Sequence, residues 1–257
     1  MNKIMKKNKK MTKKDIIYLS IIVLLVVATF VLSILLVALN LQKSSFEHGE
    51  YYHNKVTSFG VQNANLSEGQ IVFIGDSITD LYPLDSYYSD LDRACYNRGI
   101  GGDTTQGVID RLKVSIFDVN PSTIVLMIGT NDIDGGIPND KIIENYKIIL
   151  SEINRNQPMV ELYFVSVIPQ NKDLESYTEL DVDKNNKTIL MINEEIQKLC
   201  NEFGCTYINL HSSLLDDNGY LRKEFSDDGI HLNANGFEVW TNLLKPYLNN
   251  SGGVVNG

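Results

Sequence analysis

"IVFIGDSITD", residues 71–80, runs four apolar residues directly into Gly-Asp-Ser. A short apolar run that ends on such a triplet is the pattern of a buried strand entering a turn and a helix. Ser77 then has two possible roles. It can cap the helix, or its hydroxyl can react. The ten residues alone do not separate the two.

Working outward, short apolar runs recur at 94–97, 123–128, 161–167 and 206–209, and helical periodicity occupies the segments near 104–115, 140–154, 185–203 and 234–248. In 185–203, Ile189, Ile192, Ile196 and Leu199 share one face of a 3.6-residue period. Strand–helix alternation of this kind predicts a parallel sheet covered by helices on both sides. Its ligand site lies where the strands' carboxyl ends meet.

Polar residues collect at those ends. Gly75-Asp76-Ser77 follows the first run, "NRGIGGDTT" the second and "GTND" the third, while "SDDGIHLNANGF" precedes the last helix. A parallel sheet brings such distant segments to one edge. A serine hydroxyl needs a base, and His231 is the candidate, with Asp228 three residues before it to fix the ring tautomer. An ester's oxyanion needs preorganised donors. The N–H of Ser77, the backbone at Gly102 and the side-chain amide of Asn131 can supply them. His48 and His53 fall in a polar stretch, and His211 is read as a packing or rim residue. Asp76, Thr79 and Asp132 are expected to support the site from behind, with Asp103 a turn residue. No metal or other cofactor is expected, since the carboxylates lack a cation-loop spacing.

At these four blocks, "GDS" at 75–77, "GGDTT" at 101–105, "GTND" at 129–132 and "DGIH" at 228–231, the sequence resembles the SGNH, or GDSL-type, esterase and lipase superfamily. It is most similar to its lysophospholipase and acetylhydrolase-like branch. The resemblance implies a flavodoxin-like three-layer α/β/α fold with a five-stranded parallel sheet. It also implies a metal-independent serine ester hydrolase with Ser77 as nucleophile, His231 as base, Asp228 as its partner, and an oxyanion hole of Ser77, Gly102 and Asn131. The substrate would be a small acyl ester, on a surface glycan or a lipid. Acyl transfer to an envelope polysaccharide and a non-catalytic glycan-binding module are the alternatives.

The N-terminus has another character. Residues 16–39 carry no charge, and seven lysines precede them. Twenty-four helical residues reach roughly 36 Å, against a bilayer core of about 30 Å. This predicts one transmembrane signal-anchor helix with residues 1–15 cytoplasmic and the remainder outside. A stalk over 40–68 with a short first helix around Tyr51–Phe59, a hydrolase domain over 69–249 and a loose tail over 250–257 complete the expected organisation. Eight of the chain's 23 basic residues lie in the first 43 positions, beside only Asp15 of its 32 acids. The remainder is therefore strongly acidic, which excludes nucleic acid as a partner. Cys95, Cys200 and Cys205 match no metal-ligand spacing. Cys95 and Cys205 are read as small buried strand residues, and a Cys200–Cys205 disulfide as the less expected alternative. The acidic segment 171–184 is read as a surface loop or a lid.

Overall fold

Five strands, β1 (Ile71–Gly75), β2 (Cys95–Gly99), β3 (Thr123–Met127), β4 (Glu161–Val165) and β5 (Thr206–Ile208), form one sheet in the order β2-β1-β3-β4-β5. Every pairing is parallel, with Ile71 beside both Cys95 and Thr123, Thr123 beside Glu161, and Tyr163 beside Thr206. This is a computed structural model, and it describes residues 12–174 and 180–250. Part of the expected 171–184 loop and all but the first residue of the expected tail lie outside the described residues.

Period-two alternation sends each strand's side chains to opposite faces. Val72, Ile74, Ile124 and Leu126 meet α4 (Thr105–Leu112), α6 (Asn139–Asn156) and α7 (Val182–Phe203) on one face. Ile71, Phe73, Val125 and Met127 meet α3 (Leu84–Tyr88), α8 (Leu210–Leu214) and α9 (Ala234–Asn250) on the other. Both faces are covered, so β1 and β3 are buried along their whole length, and their sequences read as unbroken apolar runs. The result is the expected flavodoxin-like three-layer α/β/α sandwich, whose strand order reverses at β1. Short helices α2 (Ser77–Asp80) and α5 (Thr130–Asp134) leave the carboxyl ends of β1 and β3.

Strand ends differ from the sequence expectation where side chains intervene. β5 stops at Ile208 because the Asn209 carboxamide accepts the Ser212 N–H and caps α8. β4 stops at Val165, and Ser166 Oγ accepts the His211 N–H at 2.8 Å.

The polar stretch expected as a stalk is helical. Helix α1 runs Lys13–Asn63 without a break. The compact unit that holds the sheet begins at Tyr52, so the last turns of α1 are part of it. Tyr52 Oη donates to Gly107 O at 2.9 Å, and Asn63 Nδ2 donates to Val114 O at 2.7 Å. Arg98, 2% exposed, donates to Gln62 Oε1 and Asn63 Oδ1, both at 2.8 Å. Its guanidinium lies 4.6 Å from the centre of the buried Phe59 ring. These contacts involve residues far apart in sequence, so local polarity gave no sign of them.

Among the described residues no helix is long and apolar enough to cross a membrane. The spanning helix expected over 16–39 is therefore not supported by the described structure.

Arg98→Ala is expected to lower stability by about 2 kcal/mol, because it strips two carboxamides and an aromatic face of one buried partner. A thermal unfolding midpoint equal to that of the unsubstituted chain would show that Arg98 does not fasten the end of α1.

Candidate active site

The apolar β1 delivers its last residue, Gly75, into a turn where Asp76 adopts an extended conformation and caps α2. Asp76 Oδ1 accepts the Ile78 N–H at 3.0 Å. Ser77 is thus the first residue of α2. Its N–H lies outside the intrahelical ladder, and its hydroxyl is not used as the cap. Ser77 Oγ lies 2.8 Å from His231 Nε2, and His231 Nδ1 lies 2.6 Å from Asp228 Oδ2.

The loop carrying Asp228 and His231 is fixed by its own backbone. Asp228 Oδ1 accepts the N–H groups of Ile230 at 2.9 Å and His231 at 2.8 Å. Gly229 between them has φ 85°, and a Cβ there would stand 2.4 Å from Asn171 O, so only glycine fits. The Asn171 N–H donates to Gly229 O at 2.9 Å. Asn186 of α7 grips Gln170 on both sides, accepting its N–H at 2.8 Å and donating to its carbonyl at 3.0 Å. Helix α7, packed on one face of the sheet, thereby holds the histidine loop.

The donors expected for an oxyanion come from two further strand ends. Gly102 has φ 75° in the turn after β2. Asn131, in the first turn of α5, donates one amide hydrogen to Asp103 O at 2.9 Å. The carboxamide is therefore held against the residue that follows Gly102, and its second hydrogen remains for another acceptor. Asp132 accepts the Thr105 N–H at 2.9 Å and the Thr105 hydroxyl at 2.6 Å. The Gly102 turn is anchored to α5 in this way.

The model of the GDSL-like lipase/acylhydrolase family matches residues 73–239. The chain belongs to this family. It is a carboxylic ester hydrolase. Among curated proteins it is similar to the platelet-activating factor acetylhydrolase IB subunit alpha2 of Rattus norvegicus, 24% identical over 182 residues, 70% of this chain and 74% of that one. A Streptococcus pneumonia protein provisionally described as a platelet activating factor superposes with a TM-score of 0.77 at 28% identity, over 82% of this chain and 99% of its own. A GDSL-like lipase from Bacteroides thetaiotaomicron shares the fold at a TM-score of 0.67 and 19% identity, over 76% and 98% of the two chains.

In this acylhydrolase the structure places Ser77, Asp228 and His231 in one hydrogen-bonded chain. Asp76 caps α2 at Ser77, and Asp132 ties the Gly102 turn to α5 through Thr105. Thr79 lies in α2, two residues after Ser77. It is buried, and its hydroxyl packs against Gly75, where an added Cβ would lie 2.3 Å from Thr79 Oγ1. His211 is buried in α8, and burial pushes its ring below the ordinary histidine range. Asp227 is exposed and pairs with Asn233, leaving Asp228 as the histidine's partner.

Two residues escaped the sequence reading. Arg111, 1% exposed, donates to Asp103 Oδ2 at 2.7 Å, to Arg98 O at 2.8 Å and to Gly75 O at 3.0 Å. Its signal was a lone cation on the apolar side of a helix, between Val108 and Leu112. Asn171 gave no signal, because its ties to Gly229 and to Leu221 O join segments about 50 residues apart.

The carboxylates divide by environment. Burial raises Asp76 to about 7, against the hydrogen bond from Ile78. Burial also raises Asp103 and Asp132. At Asp228 burial acts upward too, but the bonds from the His231 ring and from the N–H groups of Ile230 and His231 bring the net shift below the ordinary value.

The sign for Asp76 follows from proton counting. Between about pH 4 and pH 7 the folded state holds a proton there that the unfolded state has released, so stability falls as pH rises through that window. Asp76→Asn is expected to remove this component. Denaturant unfolding of both chains from pH 4.5 to 7.5 checks it, and parallel pH curves would show that Asp76 is ionised throughout.

Proposed function

We propose that the chain is a membrane-anchored, outward-facing serine esterase that removes a short acyl group, acetyl first among them, from a surface glycan or a lipid alcohol. The observation that carries the chemistry is the Ser77–His231–Asp228 chain, at 2.8 Å and 2.6 Å. His231 Nε2 takes the Ser77 proton as Oγ attacks the ester carbonyl. Asp228 holds the Nδ1 proton and offsets the charge of the imidazolium. The oxyanion receives the Ser77 N–H, the Gly102 N–H and the free amide hydrogen of Asn131. His231 then returns its proton to the leaving alcohol, and water, deprotonated by the same ring, releases the acid from Ser77.

The preference for a short acyl group is supported by the curated relative, which is named an acetylhydrolase. The anchor is supported by the sequence, uncharged from 16 to 39 behind seven lysines. Large apolar side chains along it, among them Leu24, Phe30 and Leu36, are exposed. The hydroxyls of Thr29 and Ser33 donate to the carbonyls of Val26 and Phe30 in their own helix, the arrangement that a hydrocarbon surrounding demands of a polar side chain. The lysines before it favour a cytoplasmic N-terminus, which supports an outward-facing catalytic unit.

With the full chain in detergent and a chromogenic acetyl ester, Ser77→Ala is expected to lower kcat by at least about 10³-fold. His211→Ala should keep kcat within about threefold, since it touches no reacting atom. Substantial turnover by Ser77→Ala, or loss of turnover in His211→Ala, would overturn the assignment.

Topology has a separate readout. Alkaline carbonate should leave the protein in the membrane pellet, and protease added to intact cells should digest the catalytic unit. A carbonate-soluble chain would remove the anchor, and a protease-protected one would reverse its orientation.

A further inference from the structure

Cys200 and Cys205 bring their sulfurs to 2.7 Å. That lies well inside the contact distance of two unbonded sulfurs and not far above the bonded distance of about 2.0 Å. The backbone is bent to produce the approach. Helix α7 ends at Gly204, left-handed at φ 76°. The N–H groups of Gly204 and Cys205 both donate to Cys200 O, at 2.9 Å and 3.0 Å. The chain thus turns back on the last helical turn and sets Cys205 over Cys200 at the entry to β5. We propose that Cys200 and Cys205 form a reversible disulfide that closes the junction between α7 and β5.

The two thiols have unequal parts. Cys205 is partly exposed, whereas Cys200 is buried. The hydrogen bond that the two thiols share holds Cys205 below the ordinary thiol value and, with burial, pushes Cys200 up. Cys205 is therefore the attacking sulfur. Its thiolate attacks one sulfur of an external disulfide such as oxidised glutathione, forming a mixed disulfide and expelling one thiolate. Cys200 then loses its proton and attacks Cys205 Sγ, expelling the second. Two protein thiols are oxidised, one external disulfide is reduced to two thiols, and the two protons leave with them. The third cysteine cannot compete. Cys95 lies in β2, at the opposite edge of the sheet from β5, and burial raises its thiol to about 12.

The bond would tie down the weakest strand. β5 has three residues and pairs only with β4. Helix α7, to which it would be joined, holds Val167 through Asn193, accepting its N–H and donating to its carbonyl, both at 2.8 Å. The same helix grips Gln170 next to the histidine loop.

The test uses the full chain incubated with oxidised glutathione, alkylated and cleaved after Phe203, which separates the two cysteines. A Cys200–Cys205 linked peptide lacking two hydrogens is expected, with Cys95 alone alkylated in the native digest and the link lost on reduction. The oxidised chain should unfold about 5 °C higher than the reduced one, and Cys205→Ser should show no such difference. Cys200→Ser should trap glutathione on Cys205; if that variant does not fold, the map of the unsubstituted chain decides. Full alkylation of both cysteines after oxidation, or a glutathione adduct on Cys205 that persists in the unsubstituted chain, would overturn the proposal.

Discussion

One buried guanidinium sets the geometry of this acylhydrolase. Arg111 reaches from α4 to the final carbonyl of β1, to a carbonyl of β2 and to the carboxylate of Asp103. Ser115 Oγ accepts a further bond at 3.0 Å. Burying such a charge is costly unless its donors are met, and here the planar fork is filled from four directions. Gly75 O also accepts the Ile100 N–H at 3.1 Å. The strand end before Ser77 and the turn before Gly102 are therefore held by shared partners. Asp103 extends the frame, since its carbonyl orients the Asn131 amide. Three of the four sequence blocks meet through one cation and its acid.

This frame accounts for the spread of carboxylate behaviour. Asp76 and Asp132 are buried and raised, and each serves as an acceptor for backbone N–H groups at a helix start. Asp103 is raised as well, despite its ion pair, because burial outweighs the attraction of the Arg111 guanidinium. Asp228 is the member of the group that faces the His231 ring. It is half-exposed, and two backbone donors and a ring nitrogen converge on it. The difference is local: solvent and donors hold the charge on Asp228, and their scarcity discourages it at Asp76.

Much of this was legible in the sequence because β-strand ends carry short polar motifs and parallel topology collects them. The apolar runs located every strand, and the four blocks located Ser77, Gly102, Asn131, Asp228 and His231. Strand limits shifted where a single side chain captured the next N–H, as Asn209 does for α8 and Ser166 for His211. The short helix read around 51–59 lies within the end of α1. The polar residues of that end are those that Arg98 and the chain near Val114 use as partners, and such partners are invisible from within the segment. Thr79, two residues after Ser77 on α2, sets its hydroxyl beside Gly75. Arg111, Asn171 and Asn186 act through backbone carbonyls and amides of distant segments, which no motif encodes.

The first stretch, 71–80, posed a choice for Ser77 between cap and nucleophile. The structure separates the two roles by one residue. Asp76 is the cap, and its carboxylate takes the Ile78 N–H. Ser77, one position later, keeps its hydroxyl for His231 and its N–H outside the helical ladder. Had Ser77 been the cap, its oxygen would have been engaged by the backbone and the histidine would have met a hydroxyl already bound. A raised, burial-dominated Asp76 fits this division, since a carboxyl that burial raises to about 7 can still accept the cap bond through its carbonyl oxygen. The Gly-Asp-Ser triplet thus reads as turn, cap and the hydroxyl that meets His231, in that order, each made possible by the one before it.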